Sequence, residues 1–206
     1  ATIYGDSGND YIEVIRATTS TLNGGADDDY IVGGSGVDTI NGDAGRDTLF
    51  GNGGNDIISG GADADSLIGG ADVDQLFGND GGDIFIWAIG DGFDTIQGGA
   101  GDDTFDITRD GSVDIGTIST ASANTVTINW VGEASATQAN SVEILDIDLG
   151  QGADSLTIND LAGSGVSEFN LDVGRVPDSL INGDSADDHI EIYGGSGNDN
   201  FTLESV

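Results

Sequence analysis

Between residues 24 and 86 a large apolar side chain stands at every ninth position: Ile31, Ile40, Leu49, Ile58, Leu67, Leu76 and Phe85. Side chains alternate between the two faces of a strand, so each of these points inward while its two neighbours point outward. The rest of the stretch is glycine and acid, and it divides without a gap into GGADDDYIV, GGSGVDTIN, GDAGRDTLF, GNGGNDIIS, GGADADSLI, GGADVDQLF and GNDGGDIFI. Position 1 is always Gly and position 6 always Asp: Asp29, Asp38, Asp47, Asp56, Asp65, Asp74 and Asp83. Nine residues hold one short strand and one tight turn, and a fixed period is the mark of a stacked architecture. If two nonapeptides make one coil, turns 18 residues apart stack at the ~4.8 Å spacing of neighbouring strands. The phase slips twice: Asp10 to Asp29 is 19 residues, and Asp83 to Asp94 is 11, with Trp87 and Ala88 as the expected insert.

Past residue 106 the nonapeptide gives way to alternating runs at 113–118 (VDIGTI), 125–130 (TVTINW) and 142–149 (VEILDIDL), which read as strands. Further runs at 155–158, 169–173, 179–182, 189–193 and 200–203 suit a wider β-helix in which a parallel strand returns after each loop. The expected class is all-β. Residues 1–106 form a β-roll, 107–182 a strand-rich segment continuing the solenoid, and 183–206 further repeat-like coils. A β-sandwich inserted over 107–182 is the alternative, because Gly- and Ser-rich turns between alternating strands would look the same.

Charge narrows the classes of function. The chain has 38 Asp and Glu against four Arg and no Lys, for a formal charge of −34. Nucleic-acid affinity comes from Lys and Arg neutralising phosphates, and an anionic membrane surface repels such a chain for the same reason. No apolar run approaches the roughly 18 residues of a membrane helix. Neither nucleic acid nor membrane insertion is therefore expected, and the start ATIYGDSGND does not read as a signal peptide. Ile, Leu, Val and Phe make up about a quarter of the residues, just above the ~20% below which charged chains stay disordered. Self-repulsion opposes compaction, and without Cys no disulfide can offset it. A divalent cation is the candidate neutraliser.

The repeat supplies the ligands for one. Gly at positions 1, 2 and 4 allows positive φ and a tight turn with converging carbonyls, and Asp at position 6 adds a carboxylate at its end. Calcium accepts six to eight oxygens at about 2.3–2.6 Å, from carboxylates and carbonyls alike. The candidate pairs across successive coils are Asp29 with Asp47, Asp38 with Asp56, Asp47 with Asp65, Asp56 with Asp74, and Asp65 with Asp83. Five ions there would supply ten positive charges against −34. Asp43, at position 2, should offer its backbone instead of its carboxylate. Asp27, Asp63 and Asp72 stand at position 4 in place of Gly, which Asp tolerates because it visits the left-handed region more easily than most residues.

The pattern resembles the RTX (repeats-in-toxin) family, whose GGxGxDxUx nonapeptide folds as a calcium-loaded parallel β-roll. The likeness is close over 24–86 and recurs at 5–13 (GDSGNDYIE), 89–97 (IGDGFDTIQ), 98–106 (GGAGDDTFD), 183–191 and 194–202 (GGSGNDNFT), with a vestige at 149–157. It implies a right-handed parallel β-roll, or β-solenoid, loaded with several calcium ions and looser in its middle and C-terminal part. The outlying copies add Asp10, Asp94, Asp103, Asp154, Asp188 and Asp199 as metal ligands. The resemblance further implies a bacterial, extracellular or cell-surface protein exported unfolded by a type I system and folding on calcium outside.

Other motifs carry less. GDSG at 5–8 resembles the nucleophile segment of trypsin-like proteases, but His189 is the one histidine and nothing completes a triad; Ser7 is better read as position 3 of a turn. Carboxylate pairs such as Asp102 with Asp103 or Asp187 with Asp188 follow from the repeat. Glycine-rich loops without Lys make no P-loop, Trp87, Trp130 and Tyr193 read as packing residues, and His189 lacks zinc partners. A non-enzymatic structural module is expected: a stalk, fibre or surface-layer element. The alternative is the calcium-dependent C-terminal secretion and folding module of a secreted enzyme, a protease, lipase or epimerase. Repeats reaching both ends without a cap imply a longer chain or a homo-polymer stacked end to end.

Overall fold

A computed structural model describes residues 1–16, 19–88, 90–92, 94–108, 115–122, 124–130, 137–148, 155–159, 165–172 and 189–192. No helix occurs among them. The chain opens with β1 (Thr2–Ser7), β2 (Tyr11–Glu13), β3 (Thr21–Ala26), β4 (Tyr30–Val32), β5 (Thr39–Ala44) and β6 (Thr48–Gly53). Next come β7 (Ile57–Ala62), β8 (Ser66–Ala71), β9 (Gln75–Asp80), β10 (Ile84–Ala88), β11 (Thr95–Ala100) and β12 (Thr104–Thr108). Then follow β13 (Ile115–Ser122), β14 (Thr125–Trp130), β15 (Thr137–Asn140), β16 (Ile144–Asp148), β17 (Ser155–Ile158), β18 (Glu168–Asp172) and β19 (His189–Ile192).

Successive strands fall on opposite walls. Odd-numbered β1 to β11 lie side by side in one parallel sheet, and even-numbered β2 to β12, followed by β16 and β18, lie in the other. Two nonapeptides therefore make one coil, and the register confirms it: Thr39 pairs with Ile57 and Thr48 with Ser66. The molecule is a β-solenoid, consistent with a parallel β-roll. Between the walls the position-8 side chains form two facing columns. Leu22, Ile40, Ile58, Leu76 and Ile96 line one, and Ile31, Leu49, Leu67, Phe85 and Phe105 the other, each at most 1% exposed. One apolar residue per strand is a thin core, so each coil depends on the coils above and below it.

The phase slips are absorbed locally. The 19-residue step lies between β2 and β3, since Tyr11 pairs with Tyr30 and Thr21 with Thr39. At the second slip, Trp87 and Ala88 are not an excursion. Both belong to β10 and pair with Ile107 and Thr108, and the extra length sits in the turn that follows. There Ala88 N donates to Asp91 Oδ2 at 2.7 Å and Trp87 Nε1 to Gly92 O at 3.0 Å.

Trp87 also marks a change of core. In the regular coils the inward slot two residues after position 8 is glycine, as in Gly33, Gly51 and Gly69. On the same wall that slot becomes Trp87, then Ile107, Ile147 and Leu171, aligned strand by strand. The wall is two apolar residues deep from β10 onward. The return of a parallel strand after each loop also gives way at β14, which runs antiparallel to both β13 and β15. Parallel pairing resumes from β13 to β17 and from β17 to β19.

Because Leu67 is fully buried between Leu49 and Phe85, Leu67→Ala should destabilise the protein by about 2–5 kcal/mol. Urea unfolding in saturating calcium measures this, and a change near zero would mean that the coil core is not packed as described.

Candidate metal centre

Each described repeat Asp lies one residue ahead of a strand, at the end of the turn entering it. Turns alternate between the two edges of the solenoid, so the carboxylates stack in two columns. One column runs Asp10, Asp29, Asp47, Asp65, Asp83 and Asp103, and the other Ser20, Asp38, Asp56, Asp74 and Asp94. Along each, the backbone N–H of one member donates to a carboxylate oxygen, Oδ1, of the next. Asp29 donates to Asp47 at 2.7 Å, Asp47 to Asp65 at 2.8 Å, and Asp65 to Asp83 at 2.8 Å. In the second column Asp38 donates to Asp56 and Asp56 to Asp74, both at 2.7 Å. All five pairs expected from the spacing are thus neighbours. The links continue from Asp10 to Asp29, Asp74 to Asp94, and Asp83 to Asp103 at 2.8, 3.0 and 2.9 Å.

The second carboxylate oxygen is different. Oδ2 of Asp10, Asp29, Asp47, Asp56, Asp65, Asp74, Asp83 and Asp103 is buried with no hydrogen-bond partner. It faces the position-1 glycine of its own turn and, at Asp10, Asp29, Asp47, Asp56, Asp83 and Asp103, a carbonyl of the next coil. A Cβ at Gly51 would lie 2.5 Å from both Asp56 Oδ2 and Gly69 O. Position 1 is therefore glycine to let two oxygens from successive coils converge, not to supply positive φ. Positive φ belongs to positions 2 and 4, where Asp27, Asp63 and Asp72 hold 78°, 78° and 82°.

The turn before Asp38 departs from the others: Gly34 N donates to Asp38 Oδ2 at 2.8 Å, which satisfies that carboxylate within its own turn. Asp94 lies in the altered turn after Trp87. Asp154, Asp188 and Asp199 lie outside the described residues, as do the GDS at 183–185 and Tyr193.

Burying an ionised carboxylate without a partner charge is costly. Burial accordingly raises Asp56, Asp65, Asp74 and Asp94 to about 7, and Asp47 and Asp103 to about 6. Backbone N–H donors oppose the rise, and neighbouring carboxylates add to it in most of these groups. Among the described residues no three His, Cys, Asp or Glu side chains cluster as a cage. A metal here must take much of its shell from backbone carbonyls, which suits calcium and not the nitrogen and sulfur preference of zinc.

Residues 2–13, 19–49, 50–85 and 90–106 match the family described as RTX calcium-binding nonapeptide repeat (4 copies). Residues 2–106 are an RTX repeat array. No curated protein matches the chain. The RTX array is a calcium-binding module rather than a catalytic one, and no described helix is long and apolar enough to cross a membrane.

Sequence reasoning missed three features of the array. Ser20 begins the second column by donating its N–H to Asp38 Oδ1 at 2.6 Å. Trp87 takes a glycine slot. Glu143 accepts the Asp103 N–H through Oε2 at 3.0 Å, 40 residues along the chain, where the repeat spacing does not announce it.

Asp56→Asn should raise the calcium midpoint of folding by at least roughly tenfold, the lower range for weakening a metal's surroundings. Asp43→Asn should leave it nearly unchanged, because the Asp43 side chain is exposed; equal midpoints would contradict the column register. The raised carboxyl groups also set a pH dependence without calcium. Their folded-state values lie above those of the open chain, so their contribution to stability is full below about pH 4 and is lost as pH rises through about 6 to 7. In chelator the β signal in circular dichroism should be stronger at about pH 5 than at about pH 8, and a reversed trend would contradict the burial of these groups.

Proposed function

We propose that the position-6 carboxylates, with carbonyls of adjacent turns, hold several calcium ions between successive coils. On this reading the chain folds outside the cell into a rigid stalk, fibre or surface-layer element of a secreted or surface protein. The observation that carries it is the pair of columns of buried Oδ2 atoms without partners, in a chain of formal charge −34. Bound calcium supplies positive charge and a cross-link between coils. The chain supplies convergent oxygens, a backbone ladder that fixes their spacing, and an apolar column that forms only once coils stack. Metal binding and folding are then one event.

The same coupling suits export. Calcium is scarce in cytosol, where the uncompensated chain stays open for a type I system, and binding outside drives folding there. On this reading the role is mechanical: a stack of coils with ions between them would resist bending at every turn.

Calcium added to chelated protein should convert a disordered circular dichroism spectrum into a β spectrum, and electron microscopy should then show linear polymers. A full β spectrum in excess chelator would remove calcium-driven folding. A monodisperse monomer at high concentration in millimolar calcium would remove the fibre.

A further inference from the structure

We infer that Glu143 and the Ser141 carbonyl complete one more calcium site, outside the nonapeptides, at the downstream end of the first column. The inference rests on calcium occupying the repeat turns. Backbone placement makes Glu143 the counterpart of a repeat Asp. Ile144 N donates to Asp103 O at 2.9 Å, just as Thr48 N donates to Asp29 O at 2.9 Å, so Glu143 stands where Asp47 stands. Its carboxylate also repeats the ladder contact by accepting the Asp103 N–H.

The cradle is repeated as well. A Cβ at Gly98 would collide with Asp103 Oδ2 and with Ser141 O, as one at Gly51 would with Asp56 Oδ2 and Gly69 O. Asp103 is fully buried, and its Oδ2 has no hydrogen-bond partner. A bare carboxylate oxygen aimed at a convergent carbonyl, with a second carboxylate one coil away, is the donor set of the repeat sites. The glycine-rich turn has shrunk, however: the carbonyl comes from two residues before the acid instead of five. Glutamate's extra methylene lets the carboxylate reach back over the shorter turn.

This site would join two points 40 residues apart, with β12, β13, β14 and β15 between them. Closing a flexible loop of that length costs entropy that grows with the logarithm of its length, and an ion binding both ends offsets it. The repeat array would thus hand its calcium dependence on to the β16 coil.

Native mass spectrometry of the full chain, titrated with calcium, tests the assignment. Glu143→Gln keeps an oxygen to accept the Asp103 N–H, so a purely hydrogen-bonding role predicts no change in stoichiometry. The expected result is one ion fewer than wild type at saturation, with a full β spectrum. An unchanged ion count in a folded Glu143→Gln protein would overturn the site. If that variant does not fold, anomalous diffraction from wild-type crystals grown in calcium decides. A peak bounded by the Asp103 and Glu143 carboxylates supports the site, and peaks between repeat turns with none here overturn it. No ion in any repeat turn would instead refute the proposed function on which the site rests.

Discussion

The structure turns on a buried carboxylate with one oxygen hydrogen-bonded and the other bare. Oδ1 is held by a backbone N–H from the neighbouring coil, which fixes the stacking distance and the register. Oδ2 has only the carbonyls of adjacent turns for company, and these are electron-rich too. Water cannot reach it, and among the repeat turns no Lys or Arg neutralises it. Such an arrangement is stable only with protons or a cation, and near neutral pH protons suffice only in part. The glycine at position 1, the positive φ at positions 2 and 4, and the single apolar residue per strand all follow from bringing these oxygens together at the smallest turn the backbone allows.

That economy explains the thinness of the core. With one inward side chain per strand, apolar burial alone would leave little margin against the conformational entropy of a glycine-rich chain and the repulsion of its charges. The ladder is also cooperative, because each Asp donates to one coil and accepts from another. A single carboxylate therefore influences two interfaces, and stability is distributed along the stack as in other repeat proteins.

The two edges of the solenoid abandon this device at different places. On one edge the glycine slot is filled by Trp87, and from β10 onward the wall gains a second apolar layer through Ile107, Ile147 and Leu171. On the other edge the glycine cradle persists through Gly98 and Asp103, with Glu143 next in line. Hydrocarbon replaces the metal-type turn on one side while the other still presents oxygens. The coils across β10 to β16 therefore combine both modes of cohesion, and the antiparallel β14, paired with β13 and β15 in the same sheet, interrupts the parallel winding where glycine turns no longer dictate the path.

By itself the sequence determined the coil. Gly, Asp and one apolar residue in fixed phase specify a short strand and a tight turn, and the 18-residue pairing of Asp38 with Asp56 or Asp47 with Asp65 follows from counting, because every term in it is local and repeated. The same pattern led to the matched family and to calcium. What only the tertiary structure decided lies where the period fails. Trp87 looked like part of an insertion until its strand pairing with Ile107 placed it inside, β14 read as one more parallel strand until its neighbours reversed it, and Glu143 stood outside the repeat spacing until its carboxylate proved to accept the Asp103 N–H. Each of these depends on which segment the chain happens to return to after a loop, and that is set by pairing and packing between residues tens of positions apart, which no local pattern records.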